Sequence, residues 1–148
     1  MTPEQRLQQL GIALPIAPSP LGEHVASRQT GPFVFLSGML PLVDGNPIAT
    51  GRVGKEQARE AARVCALNAL AVLKQRIGSL GRVRGVVRVA AYIAAEPDFT
   101  EHTFVADGCS ELLNRVFPAS GKHAQLVFGV SSLPMGVPVE LEVIFEVD

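Results

Sequence analysis

Hydrophobic and polar residues alternate along the last segment of the chain in the pattern that is typical of a β-strand. The segment reads VPVELEVIFEV and covers residues 137–147. Successive side chains of a strand point to opposite faces, so its odd-numbered apolar residues separate from its mainly acidic even-numbered ones. We therefore predict one face that packs beneath helices and one that presents Glu140, Glu142 and Glu146. A second strand, from about Ala124 to Val130, is predicted to precede it across a Pro/Gly turn.

Two longer segments show the three- and four-residue spacing of amphipathic helices. Lys55 to Ile77 repeats small and apolar residues at this spacing, and Gly78 is placed to end the helix. Phe99 to Phe117 carries a second apolar stripe and is predicted to form another helix. The members of that stripe are Phe99, Thr103, Ala106, Cys109, Leu113 and Val116.

The first third of the chain combines a short helix, an arm and an interrupted strand. TPEQRLQQLG has a threonine cap, a proline at the first helical position and a closing glycine, so residues 1–16 are predicted to form a helix and the start of an extended arm. Phe33 to Leu42 predicts a strand interrupted at Ser37-Gly38, and residues 82–95 predict a central strand. The order of elements predicts one domain over residues 1–148, an α+β two-layer sandwich with a single mixed sheet and two long helices on one face.

Charge and composition argue against several classes of protein. A formal net charge of −1 and a pI near 6.3 argue against a general nucleic-acid-binding surface, which needs a basic footprint. No apolar run is long enough to span a membrane and the N-terminus lacks the features of a signal peptide, so a soluble cytoplasmic protein without membrane contacts is expected. A hydrophobic content of 47% in 148 residues predicts that other copies of the chain cover part of the apolar surface.

The cysteines and histidines do not predict a metal site. Cys65 and Cys109 fall in helical segments, where a small buried residue is the usual role. The three histidines are far apart and lack the spacing of zinc ligands. The chain also lacks a Gly-rich phosphate loop and a G-x-S-x-G nucleophile motif. We therefore expect neither a metal nor a cofactor.

Three polar groupings are candidates for chemistry, and each has a plainer alternative. Glu140, the acid nearest the turn, either holds a water or substrate or belongs to a solvated face. His123 and Gln125 share one parity and either line a small-molecule site or form a surface hydrogen-bonding pair. A basic strip either contacts phosphates or is solvated or ion-paired between subunits, and it consists of Arg82, Arg84 and Arg88.

Three segments resemble one protein family. They are GPFVFLSGMLPLVDG, then EAARVCALNALAVLKQRIGSLGRVRGVVRVAAYI, and above all HAQLVFGVSSLPMGVPVELEVIFEV. They resemble the YjgF family of reactive intermediate deaminases (Rid), also labelled endoribonuclease L-PSP-like or translation initiation inhibitor, in a longer branch of about this chain's length. The resemblance implies a chorismate-mutase-like fold and a homotrimer with small-molecule clefts between subunits. It also implies cofactor-independent hydrolysis of 2-imino or enamine intermediates to keto compounds and ammonia.

The resemblance assigns roles to individual positions. Glu140 matches the glutamate that orients the attacking water, which makes it the expected catalytic residue. Ser37-Gly38 and Gly129 match steps of the chain that approach the ligand closely, since glycine lets a backbone come near. His24 takes the place of a tyrosine in the N-terminal arm and is expected to contact the substrate.

Gln125 departs from the family pattern. By the resemblance it replaces the arginine that pairs with the substrate carboxylate, and His123 is expected beside it in the substrate site. A charge-assisted pair contributes about 1.5–3 kcal/mol against about 0.5–1.5 for a neutral hydrogen bond, so binding of a 2-imino acid is expected to weaken by roughly one to two decades. Two readings therefore stay open, an imine deaminase and a non-catalytic trimer that binds a metabolite. An endoribonuclease is a third and less favoured one.

Overall fold

Three helices and seven strands make up the chain in the computed structural model, which describes residues 1–148. The helices are α1 (Pro3–Gln9), α2 (Lys55–Ile77) and α3 (His102–Val116). The strands are β1 (Ser27–Thr30), β2 (Phe33–Leu36), β3 (Leu42–Val43), β4 (Asn46–Pro47), β5 (Val83–Ala94), β6 (Ala124–Val130) and β7 (Val139–Val147). Short 3-10 turns precede β5 and β7, at Leu80–Arg82 and Pro134–Gly136. None of the helices combines the length and the apolar content that crossing a membrane demands.

Five strands form one mixed sheet in the order β1-β2-β7-β5-β6. β5 and β6 run parallel, and the other neighbouring pairs are antiparallel. β3 and β4 form a separate two-stranded hairpin. The two long helices pack against each other and against one side of the sheet. The predicted fold class, an α+β sandwich with a mixed sheet and two long helices on one face, is confirmed.

The alternation along β7 decides which side of the sheet is the core. Its inward residues are at most 1% exposed: Val139, Leu141, Val143, Phe145 and Val147. The residues between them lie on the side that no helix covers, which we call the open face. Through the strand pairing, the open face includes Phe33, Phe35, Tyr92, Phe128 and Glu140. The predicted separation of apolar and acidic residues along this strand is confirmed.

Small residues allow α2 and α3 to approach closely. A Cβ on Gly108 would collide with the backbone carbonyl of Arg59, so only glycine fits at this crossing. Cys65 and Cys109 are both buried and free, in agreement with their predicted packing role. Burial raises the pKa of the Cys109 thiol to about 12, which keeps it protonated and unreactive. α2 ends at Gly78, as predicted, with a φ of 85° that favours glycine.

Asn68 of α2 is a buried amide that anchors the connection between β2 and β3. Its Nδ2 donates to the backbone carbonyl of Leu40 at 2.9 Å and to that of Leu42 at 3.0 Å. Buried polar groups without partners are costly, so this pair of bonds fixes the connection against the helix.

The strand predicted from Phe33 to Leu42 stops at Leu36 and does not resume as a regular strand after Ser37-Gly38. β2 has only four residues, and the chain rejoins the sheet through a single bridge between Met39 and Leu141. Gly38 lies between the two, where a Cβ would overlap the Glu140 side chain. The interruption at Ser37-Gly38 was therefore located correctly, and its effect on the length of the strand was underestimated.

α3 begins at His102 rather than at Phe99, because the Phe99 N–H donates to the Glu96 carbonyl in a preceding turn at 3.0 Å. Thr103, which was predicted to belong to the inner stripe, is exposed. The remaining stripe residues within the helix are buried, so the helix packs through the face that the spacing indicates.

The predicted basic strip is divided by irregularities in β5. Register shifts occur between Val83 and Gly85 and again before Arg88, so the arginines do not follow one regular parity. Arg82 donates from Nε to Oδ1 of Asp148 at 2.9 Å, and Arg88 pairs with Glu142 at 3.8 Å. These ion pairs form within the chain and not between subunits.

α1 is attached to the rest of the protein at the 3-10 turn before β5 and at α3. Thr2 and Gln5 form a capping box at its start, as the threonine cap predicts. Glu4 Oε2 accepts a hydrogen bond from the Leu80 N–H at 2.8 Å, and Arg6 Nη1 donates to the Val116 carbonyl at 3.3 Å. The N-terminal end of the arm is thereby fixed.

Candidate functional site

A cleft of about 320 Å³ lies where the N-terminal arm, the β2–β3 connection and the start of β7 meet. Its apolar wall is supplied by the arm and the connection and includes Leu21, Met39, Leu40 and Leu42. We call it the Glu140 cleft. Four of the residues that the sequence singled out lie together in it: His24, Ser37, Gly38 and Glu140.

Two backbone hydrogen bonds fix Glu140 beside Gly38. The Met39 N–H donates to the Leu141 carbonyl at 2.7 Å, and the Leu141 N–H donates to the Met39 carbonyl at 3.0 Å. In this antiparallel bridge Gly38 lies diagonally across from Glu140, and the Glu140 side chain reaches over to Gly38. Because a Cβ on Gly38 would overlap Oε2 of Glu140, glycine leaves the space that the carboxylate occupies.

The Glu140 carboxylate has no partner within the chain. Its neighbour on the strand, Glu142, pairs with Arg88, whereas Glu140 takes part in no ion pair or hydrogen bond. It is half-buried, and desolvation raises its pKa above the ordinary glutamate value because burial disfavours the charged form. An unpaired carboxylate with a raised pKa in a cleft is a candidate proton-transfer group.

Ser37 holds the arm against the sheet. Its Oγ donates to the Val25 carbonyl at 2.6 Å, and its N–H donates to the Ala26 carbonyl at 2.9 Å. The hydroxyl proton is therefore engaged in positioning the arm. With its proton engaged, Ser37 Oγ can meet a ligand as a hydrogen-bond acceptor.

Gly38 offers a free donor at the cleft. Its backbone N–H has no hydrogen-bond partner within the chain, and the residue lines the cleft beside Glu140. Because Gly38 is exposed to the cleft, its backbone N–H can bind a ligand oxygen or a water. His24, the other polar residue expected from the arm, is exposed at the cleft wall.

A shallow depression on the open face adjoins the cleft and shares Gly38 and Glu140 with it. It adds Tyr92 and Glu142, which the sequence interpretation did not select as site residues. Tyr92 pairs with Glu140 in the β5–β7 ladder, and its ring lies 6.3 Å from that of Phe128. Sequence parity could have placed Tyr92 on one face of the predicted central strand, because Tyr92 and Ala90 are two residues apart and therefore point the same way.

His123 and Gln125 lie in a different place from the Glu140 cleft. Ser110 of α3 joins them: its Oγ is 3.0 Å from His123 Nε2 and 2.8 Å from Gln125 Oε1. His123 Nδ1 is also 2.7 Å from the Gly121 carbonyl. The pair therefore shares one direction, as its parity predicts, and forms a hydrogen-bonded cluster with a helix.

Within one chain Gln125 and Glu140 lie on opposite sides of the sheet, so the role expected for Gln125 in a cleft between subunits stays a prediction. Gln125 pairs with Val89 of β5, which is fully buried under the helices, and paired residues of adjacent strands point to the same face. Gln125 thus lies on the helix side of the sheet, while Glu140 lies on the open face. Within one chain the amide does not stand where an arginine could meet a ligand beside Glu140.

Gly129 also lies on the helix side. A Cβ on this residue would come within 3.1 Å of Nε2 of His102 in α3. Its absence of a side chain makes room for that imidazole, and the contact of Gly129 with a substrate stays a prediction. No group of three or more histidine, cysteine, aspartate or glutamate side chains is arranged to hold a metal ion.

Comparison with known proteins identifies the family of the chain. Residues 4–145 match the family described as "YjgF/chorismate mutase-like, putative endoribonuclease". A Trypanosoma cruzi relative, Protein TCP17, is 36% identical over 147 residues, which cover 96% of this chain and 92% of the relative.

Two further relatives connect the chain to named activities. A Dermatophagoides farinae protein named 2-iminobutanoate/2-iminopropanoate deaminase is 29% identical over 138 residues, covering 93% of this chain and 95% of that protein. The crystal structure of a "putative endoribonuclease" from Shewanella oneidensis superposes with a TM-score of 0.96 at 27% identity, covering 99% of this chain and 100% of that one. With this match in sequence and fold over nearly its whole length, the chain belongs to the YjgF/Rid family, the family of the L-PSP endoribonuclease-like proteins.

Proposed function

We propose that the protein hydrolyses small imines or enamines to carbonyl compounds and ammonia in the Glu140 cleft. The observation that carries this proposal is the half-buried, unpaired Glu140 carboxylate beside the unpartnered Gly38 N–H. A base and a donor in one small apolar cleft are the groups that water addition to a C=N bond requires. The deaminase name of the mite relative supports the same class of reaction.

The reaction uses one water and no cofactor. Glu140 takes a proton from the water as its oxygen bonds to the carbon of the protonated imine, which gives a carbinolamine, and passes this proton to the nitrogen. The carboxylate then takes the remaining hydroxyl proton as the C=O bond forms and the C–N bond breaks, and it gives that proton to the departing ammonia, which leaves as ammonium. A raised pKa suits both steps, because the carboxyl must gain and lose a proton near neutral pH. The Gly38 N–H stabilises the oxygen that forms.

The proposed assembly is a homotrimer in which the open face of each sheet is covered by a neighbour. Several large apolar side chains on this face are exposed in the single chain: Phe33, Phe35, Leu126 and Phe128. They form two groups, on β2 and on β6, which β7 and β5 separate. Exposed apolar groups of this kind mark interaction surfaces. The depression at Glu140 and Tyr92 opens on the same face, so a neighbouring subunit would complete the site. Sedimentation equilibrium at micromolar concentration tests this, and a monomer would contradict it.

The deciding experiment is ammonia release from a freshly generated imine, with Glu140→Gln compared with the wild type. Replacing the proton-transfer group should lower kcat/KM by about 10²–10⁴-fold. Glu146→Gln is the matched control, because Glu146 lies on the same face of β7 but is exposed and outside the cleft. Equal activity of the wild type and Glu140→Gln would contradict the proposal.

A second candidate function, a non-catalytic trimer that binds a metabolite, is favoured by one observation. No arginine or lysine lines the Glu140 cleft, so the chain itself provides no cation for a substrate carboxylate. If the wild type accelerates no imine hydrolysis while a small amine still binds in a Glu140-dependent way, binding is the function of the site.

A further inference from the structure

We infer that the Glu140 cleft takes imines without a carboxylate group and binds their nitrogen as a cation. This inference rests on the proposed function and names the substrate class of the same site. It follows from the charges and the apolar surface that the chain places around Glu140.

The charged groups at the site are acidic. Glu140 and His24 are the ionisable residues that line the cleft, and the adjoining depression adds Glu142. On the same face, Arg88 is already paired with Glu142 at 3.8 Å, and Arg28 lines neither the cleft nor the depression. Among the lining residues of this chain, a substrate carboxylate would therefore meet an unpaired carboxylate and no guanidinium, and like charges at short range in a partly desolvated site repel strongly.

A protonated imine reverses that interaction. Its N–H groups can donate to the Glu140 carboxylate, and an opposite charge favours the ionised form of a carboxyl group. The remaining wall is apolar, with Leu21, Met39, Leu40 and Leu42, and accommodates a short alkyl chain. A volume of about 320 Å³ lies at the lower end of the range for small-molecule sites.

Hydrolysis of such a cation balances without a co-reactant. The protonated imine and one water give an aldehyde or ketone and an ammonium ion. The water oxygen forms the new bond to carbon, the C–N bond breaks, and Glu140 carries the two water protons, one after the other, from oxygen to nitrogen, so the nitrogen leaves as an ammonium ion. No carboxylate on the substrate is required at any point.

The test compares two imines that differ by the carboxylate alone. Propan-1-imine is generated from propylamine by an amine oxidase, and 2-iminobutanoate is generated from 2-aminobutanoate by an amino-acid oxidase, each with catalase present. We expect the wild-type protein to accelerate the loss of propan-1-imine, relative to the uncatalysed rate, by at least about tenfold more than that of 2-iminobutanoate. An equal or reversed preference would overturn the inference and leave the proposed function in place.

A charge placed in the wall provides a second readout. Leu21→Arg is tolerated sterically because Leu21 is 61% exposed, and it brings a guanidinium to the cleft. We expect it to raise the rate with 2-iminobutanoate by about tenfold and to lower the rate with propan-1-imine. Ile16→Arg is the matched control, since Ile16 belongs to the same arm, is 96% exposed and does not line the cleft. An unchanged preference in Leu21→Arg would count against the inference.

Failure of the proposed function is distinguishable from failure of the inference. If neither imine is hydrolysed faster than in the absence of protein, the proposed function is overturned. Calorimetric binding of propylammonium and of propanoate then decides the ligand class. Propylammonium that binds about tenfold more tightly and loses affinity in Glu140→Gln supports the inference. Propanoate that binds equally well or better overturns it.

Discussion

The substitution Gly38→Ala tests the site by adding one methyl group. The new Cβ would occupy the place of Glu140 Oε2. The backbone of residue 38 does not adopt a positive φ, so alanine itself meets no conformational strain. The obstacle is the end of a flexible side chain and not a backbone, so we expect the carboxylate to rotate away while the sheet stays intact.

The expected magnitudes separate activity from stability. Moving Glu140 off its preferred rotamer costs about 0.5–1.5 kcal/mol, and alanine restricts the unfolded chain by about 0.4–1 kcal/mol in the opposite sense. The free energy of unfolding should therefore change by less than about 1 kcal/mol, which corresponds to a few degrees in Tm. A displaced proton-transfer group should lower kcat/KM for imine hydrolysis by about 100-fold.

Ammonia release and thermal unfolding are measured on the same preparations. Gly54→Ala serves as the control, because Gly54 has open space around the position of an added methyl and lies at the start of α2. Activity of Gly38→Ala within about twofold of the wild type would refute the idea that Gly38 positions the carboxylate. A loss of several kcal/mol in the free energy of unfolding would also contradict the expectation, because it would show that the new methyl group displaces the sheet and not the Glu140 side chain.

Three further predictions follow from the described contacts. Gln125→Arg should leave the rate of 2-iminobutanoate hydrolysis unchanged, because Gln125 bonds to Ser110 on the helix side, and a gain of tenfold or more would place it at the site after all. Glu140→Gln should raise Tm at neutral pH. Between the ordinary glutamate pKa and the raised pKa of Glu140, the folded wild-type protein binds more protons than the unfolded one, so its stability falls as pH rises through that window. Below the window the difference in Tm between the variant and the wild type should vanish. Asn68→Ala should lower the free energy of unfolding in urea by about 1–3 kcal/mol, because the Leu40 and Leu42 carbonyls both lose the Asn68 amide, while the Leu40 carbonyl keeps the Leu42 N–H as a second donor.

The parts of the fold with strong alternation were predictable, and the reason is energetic. In β7 every inward residue is apolar and three of the four residues between them are acidic, so only one orientation buries the apolar set without burying carboxylates. In α2 small and apolar residues recur at helical spacing, but the six consecutive residues from Asn68 to Leu73 are all buried, so this part of the helix is covered on more than one side. Both ends of the helix were predicted correctly. The resemblance to the family rested on the same regular segments.

The orientation of β6 was not predictable from its own residues. AQLVFGV places apolar side chains on both parities, so hydrophobicity does not decide which side faces the helices. The strand lies at the edge of the sheet, and its residues are exposed or only half-buried on both sides. Pairing with β5 and the hydrogen bonds to Ser110 fix the orientation, and both are contacts between residues distant in sequence. The role expected for Gln125 rested on the family resemblance, which sets the cleft between subunits, and not on this parity.

The arm that walls the cleft is tied down at its two ends and little in between. α1 fixes one end, and the bonds from Ser37 to Val25 and Ala26 fix the other. For a loop closed in this way, each doubling of length adds only about 0.6 kcal/mol of closure entropy. Insertions, deletions and exchanges between the anchors should therefore alter the shape and charge of the cleft while Glu140 and the sheet stay in place. Evolution or design can vary ligand choice through this single segment and retain the proton-transfer group.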